Sequence, residues 1–136
     1  MDRILEKIKE IEEFLDQLSN FTPSTLEDYK SDVVKKAACE HYFEKTMQAI
    51  TDIAFLTIKL KKFRIPQDDN DSFTVLNENK VIDENLTKNL QNAKSMRNIL
   101  AHEYGKVNDN LVYESITEEL EKDAEEFIEE IKKVIK

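Results

Sequence analysis

A chain of 136 residues with a single Gly and two Pro has almost no means of turning sharply. A β-sandwich or barrel needs turn chemistry about every 8–12 residues, supplied mainly by Gly, Pro and Asn or Asp clusters. Such folds are excluded here, and an all-α class is expected. Apolar spacing says the same: Ile4, Leu5, Ile8, Ile11, Phe14, Leu15 and Leu18 recur at steps of three and four, which predicts one amphipathic helix over residues 2–18. The segment "SNFTPSTLED" breaks it, with Pro23 suited to a first-turn position and Ser24 or Thr25 to a cap.

From Ser31 to about Lys62 a longer helix is expected, and its middle, "AITDIAFLTIKL", is apolar on more than one face. That pattern belongs to the centre of a bundle or to a subunit interface. Asp52 lies inside this run, so it faces either a polar pocket or a wet stripe. Downstream, "RIPQDDNDS" reads as a loop, "SFTVLNENK" as a short helix capped by Ser72, and a further helix runs from Asp83 with Leu86, Leu90, Ala93, Met96 and Leu100 inward. Gly105 is expected to end it in a left-handed cap. The last helix, from about Tyr113, carries Ile116, Leu120, Ala124, Phe127, Ile131 and Val134 at core spacing. Together these predict an antiparallel four- to five-helix bundle, one domain over residues 1–136.

No apolar run reaches the roughly 18 residues of a membrane helix, and "MDRILEKIKEIEEFL" lacks the apolar block of a signal peptide, so a cytoplasmic protein is expected. The lone Cys39 excludes an internal disulfide and reads as a small core residue. The net charge of −9 argues against a surface that wraps nucleic acid over its whole extent. Charge is uneven, however. Between Asn85 and Val107 four cations (Lys88, Lys94, Arg97, Lys106) face one acid (Glu103), a local +3, which reads either as an anion site or as a solvated helix face.

That basic segment contains "RNILAHEYG", where Arg97, Asn98, His102, Tyr104 and Gly105 lie within nine positions. A His exchanges protons near neutral pH, and an Arg binds phosphate bidentately. The pair suits phosphodiester cleavage in which the substrate brings its own nucleophile, as RNA does with its 2′-hydroxyl. No metal is needed for that, and "CEHYFE" offers no good metal cluster, since on a helix only Glu40 and Glu44 of Glu40, His41 and Glu44 align. Positions five apart on a helix point about 140° away from each other. Arg97 and His102 therefore act on one point only if the helix bends or ends, if Arg97 curls round, or if two chains share the site. Alternatively, His102 is a helix C-terminal residue whose imidazolium favours the dipole.

The segment "MRNILAHEYGKV" resembles the signature of HEPN-domain ribonuclease toxins of the HepT type: Arg, four residues, His, one residue, Tyr. Arg97, His102 and Tyr104 match it, and Asn98 matches a polar residue that often follows the Arg. "CEHYFEKTMQAITDIAFLTI" and "KVNDNLVYESI" are similar to the flanking helices, so the resemblance covers about Val33 to Ile116. It implies a homodimer or higher assembly with motifs facing a cleft, and RNA cleavage without metal or cofactor. In it His102 would be general acid/base, Arg97 the phosphate-binding residue and Asn98 a supporting one. It further implies an MntA-type nucleotidyltransferase antitoxin that transfers AMP to Tyr104. His41 departs from the pattern, because relatives often carry an Arg in that segment. Two other readings stay open: a non-catalytic helical partner that docks on a nucleotidyltransferase, and a purely structural helical dimer.

Overall fold

The computed structural model describes the backbone of residues 1–102 and 108–136 and the side chains of residues 1–100 and 108–136. Seven α-helices are described: α1 (Asp2–Phe21), α2 (Leu26–Ser31), α3 (Val33–Lys61), α4 (Asp69–Glu78), α5 (Glu84–His102), α6 (Asp109–Glu114) and α7 (Leu120–Val134), with a π-helical turn (Ser115–Glu119) between the last two. Four of them close a bundle: α1 packs on α3, α3 on α5, α5 on α7, and α7 back on α1. The fold is all-α, with no strand among the described residues.

The multi-faced apolar character of α3 follows from its place. It touches α1, α2, α4 and α5, so the consecutive residues Ala49, Ile50 and Thr51, which point about 100° apart, are all buried. Asp52 sits on its wet stripe, accepting a hydrogen bond from Gln48 Nε2 at 2.9 Å and pairing with Lys7 Nζ at 3.5 Å. On α1 the stripe of Ile4, Ile8, Ile11 and Leu18 is buried, while Leu5 lies outside it and is exposed. Cys39 is fully buried, as a core residue would be.

Local capping explains where the helices differ from expectation. A six-residue helix, α2, follows Pro23; its cap is Thr25, whose hydroxyl accepts from Asp28 N, and Pro23 stands before the helix rather than in its first turn. α4 is capped by Asp68, not Ser72, because Asp68 accepts from Asp71 N at 2.7 Å while Ser72 is buried within the helix. The last helical rod starts at the Asn108 cap, ahead of Tyr113, since Asn108 Oδ1 accepts from the amides of Asn110 and Leu111. Tyr113 anchors this rod to the end of α1 by donating to Pro23 O at 2.7 Å.

With glycine so scarce, two lysines take left-handed backbone positions. Lys62 (φ 59°) ends α3, and Lys80 (φ 62°) follows α4. Each non-glycine residue in that region costs roughly 1–2 kcal/mol. Between them lies an ion-pair clamp. Arg64 donates to both oxygens of Asp71 (2.8 and 2.9 Å) and both of Glu78 (2.9 and 3.0 Å), holding the loop after α3 against α4.

Candidate functional site

Three neighbours hold α5, the helix that carries the rare residues. At its start Asp83 Oδ1 accepts from Leu86 N at 2.7 Å, which satisfies one of the unpaired amides of the first turn. Gln91 Nε2 donates to Asn70 O and Thr74 Oγ1 on α4, both at 2.9 Å. Asn89 Nδ2 donates to Asp123 Oδ1 on α7 at 3.3 Å, and burial pushes the Asp123 carboxyl up. Leu86, Leu90 and Leu100 face the core. These contacts hold the first half of α5 against α4 and α7, and Leu100 is buried near its other end.

At that end Arg97 is half-buried and Asn98 exposed. Arg97 Nη1 lies 3.5 Å from Asn98 Oδ1, while its Nε is buried without a hydrogen-bond partner among the described residues. The backbone of α5 is helical as far as His102, its last residue. The His102 side chain, Tyr104, Gly105 and Lys106 lie outside what is described, so their expected arrangement around Arg97 and the glycine cap are not part of the observed geometry.

Lys94 corrects the charge count made on the sequence. It is not a surface cation: it is 2% exposed, with its ammonium 3.0 Å from Asp69 Oδ2 and 2.9 Å from Asn98 Oδ1. Lys88 is exposed but sits 3.4 Å from Glu84. The basic character presented by the described part of α5 therefore rests on Arg97. Lys94 was missed because its partner Asp69 is remote in sequence, although its spacing was a signal: Leu86, Leu90 and Lys94 follow one another at four residues along the buried stripe.

Away from Arg97, the surface between α1 and α7 is strongly acidic. A recess of about 430 Å³ there is lined by Glu12, Asp16, Glu121, Glu125 and Glu129, a field that repels phosphate. His41 is exposed, edge-on to Tyr42 with ring centroids 5.0 Å apart. Among the described residues no group of His, Cys, Asp and Glu has the arrangement of a metal site, and no helix is long and apolar enough to cross a membrane.

Comparison with known proteins places this geometry in a family. The model of the ribonuclease HepT-like family matches residues 4–131. The mRNA nuclease HepT of Shewanella oneidensis is 33% identical over 104 residues, which cover 76% of this chain and 77% of that protein. In a solved complex of the tri-AMPylated HEPN toxin of Shewanella oneidensis with its MNT antitoxin, one chain superposes with a TM-score of 0.91 at 29% identity, over 98% of each chain. A toxin–antitoxin crystal structure with AMP-PNP gives 0.91 at 28% identity, over 98% of this chain and 99% of the other. This chain belongs to the ribonuclease HepT-like family.

Proposed function

We propose that this chain is a metal-independent RNA endonuclease toxin, silenced when a nucleotidyltransferase antitoxin of the MntA type transfers AMP to Tyr104. The observation that carries the reading is the state of Arg97. In a chain of this family, Arg97 stands half-buried on α5, five residues before His102, with a buried Nε–H that finds no acceptor among the described residues. A buried donor left without an acceptor costs about 1–3 kcal/mol, which a phosphate oxygen would recover.

In the proposed reaction the RNA 2′-oxygen attacks the adjacent phosphorus, the bond to the 5′-oxygen breaks, and a 2′,3′-cyclic phosphate and a 5′-hydroxyl result. His102 moves the proton between the attacking 2′-oxygen or leaving 5′-oxygen and solvent. Arg97 holds the phosphate and stabilises the charge that grows on its oxygens. Arg97 and His102 diverge by about 140° on a straight helix, and a symmetric dimer of the kind the family resemblance implies would bring the two residue types to one cleft. The C-terminal half of α3 and the loop after it fit such a contact: Phe55 and Leu60 on the helix and Ile65 in the loop remain exposed.

Silencing follows from charge and bulk. The Tyr104 phenol oxygen attacks the α-phosphorus of ATP, pyrophosphate leaves, and the new phosphodiester adds a negative charge and a nucleotide to the segment that carries the proposed site. RNA then meets repulsion and a filled cleft. The complexes of related toxins with their antitoxin support this partner.

Incubation with the cognate nucleotidyltransferase, ATP and magnesium should add AMP to the chain by mass spectrometry and reduce RNA cleavage. Tyr104→Phe should escape both. An adduct at another residue would overturn the Tyr104 assignment. The net charge of −9 favours a second reading, a non-catalytic helical partner of the nucleotidyltransferase. On that reading the unmodified chain would leave RNA intact while still binding the transferase.

A further inference from the structure

Lys94 has no part in the reading above, yet among the described residues of the site it is a lysine held out of water. Its ammonium lies 3.0 Å from Asp69 Oδ2 on the first turn of α4 and 2.9 Å from Asn98 Oδ1 one turn along α5. An ammonium carries three donors and no acceptor, so the Asn98 carboxamide must turn its oxygen toward Lys94. Arg97 Nη1 approaches the same oxygen at 3.5 Å. The oxygen of Asn98 is thereby occupied from two sides, and the half left for the exposed surface is its NH₂ group. An unrestrained carboxamide would rotate, and in the opposite orientation it would aim an acceptor at any anion bound by Arg97.

We propose that Lys94 is a positioning residue, which locks the Asn98 carboxamide with its NH₂ group outward as a donor to a phosphate oxygen held by Arg97. The identity of that phosphate as RNA rests on the ribonuclease reading; the orientation of Asn98 does not. Asp69 has a matching role. Its side chain is 49% exposed, so it supplies the counter-charge that Lys94 needs in the interior while remaining solvated if Lys94 is neutralised. Sequence spacing supports the arrangement, since residues four apart on a helix share a face and are within side-chain reach.

The test combines side-chain NMR with a double-mutant cycle. In ¹⁵N-labelled protein the Asn98 NH₂ pair is identified by its absence in Asn98→Ala, and its position is then read in Lys94→Met, which keeps the apolar stem and removes the donors. The expected result is a shifted Asn98 pair in Lys94→Met, with RNA cleavage lowered about tenfold and no further loss in the double variant beyond Asn98→Ala alone. An unmoved Asn98 pair, or a double variant in which the two losses multiply, would overturn the proposal. Should the unsubstituted chain fail to cut RNA, the ribonuclease reading falls, and the NMR arm still decides the orientation of Asn98 by itself. Should Lys94→Met fail to fold, Lys94→Gln takes its place. Its amide still donates to Asn98 Oδ1, so the Asn98 pair should stay near its original position, and displacement in a folded Lys94→Gln protein would overturn the proposal.

Discussion

Two arginines, one just after α3 and one in the last turns of α5, show how the same side chain is spent on structure or kept for chemistry. Arg64 is committed: four of its five N–H donors bond the carboxylates of Asp71 and Glu78, whose two negative charges leave little attraction for an anionic ligand. Arg97 has one long contact among the described residues, to a neutral amide oxygen at 3.5 Å, and a buried Nε–H. The difference lies in what surrounds each. Around Arg64 the first turn and the end of α4 supply Asp71 and Glu78, whereas Asp69, the acid of α4 that reaches α5 among the described residues, is taken by Lys94. A guanidinium next to a satisfied network is free to bind an anion; one inside an acidic cage is not.

The largest effect expected from this contrast is on activity. Arg97→Gln should lower RNA cleavage by about 100-fold or more, the scale of losing a charge stabiliser in the transition state, while unfolding stays within roughly 1 kcal/mol of the unsubstituted chain. His102→Ala should cause a loss of similar size with the fold retained. Arg64→Gln should leave cleavage unchanged and lower the melting temperature modestly, because the clamp it breaks is exposed to solvent. Equal losses of activity in Arg64→Gln and Arg97→Gln would erase the contrast.

A pH titration of stability sharpens it. Hydrogen bonds from Arg64, and then from the Gln67 amide, hold the Asp71 carboxyl at about 2, below its ordinary range. Arg64 likewise lowers Glu78. An acid whose folded pKa is depressed stabilises the fold fully above its unfolded pKa and loses that contribution as pH falls through the folded one. The melting-temperature gap between the unsubstituted chain and Arg64→Gln should therefore be full at pH 7, shrink below about pH 4 and close near pH 2. A gap that stayed constant over that range would mean the clamp contributes through packing rather than charge.

The smallest effect concerns the backbone next to Arg64. Lys62→Gly removes the cost of a side chain at φ 59° and should stabilise the chain by up to about 1 kcal/mol in denaturant unfolding, with cleavage unaffected. A destabilised variant would show that the Lys62 stem packs well enough to outweigh its strain.

Much of the fold was legible because helical periodicity is a local signal. The stripes of α1, α5 and the last rod could be read directly, and the multi-faced run in α3 announced a helix with several neighbours. What escaped was too short or too ambiguous for periodicity. The six residues of α2 make less than two turns, and the acidic run before α4 offers several capping residues, of which packing selects Asp68 over Ser72. At the candidate site, Arg97 and Asn98 stood out by residue type, whereas the buried state of Lys94 depends on Asp69, 25 positions earlier, and no local pattern contains that pairing. Of the counted +3, Lys94 is paired with Asp69 and buried, while Glu103 and Lys106 lie outside the described residues: sequence adds charges, and the fold decides which are presented.

Product chemistry tests the central claim most directly, that Arg97 and His102 cut RNA without a metal. The unmodified chain, freed of metal with EDTA, is mixed with a short RNA oligonucleotide and the fragments are weighed by mass spectrometry. The account expects cutting to persist, with fragments ending in 2′,3′-cyclic phosphate and beginning with 5′-hydroxyl. Fragments with 3′-hydroxyl and 5′-phosphate ends, or cleavage abolished by EDTA and restored by a divalent cation, would contradict it.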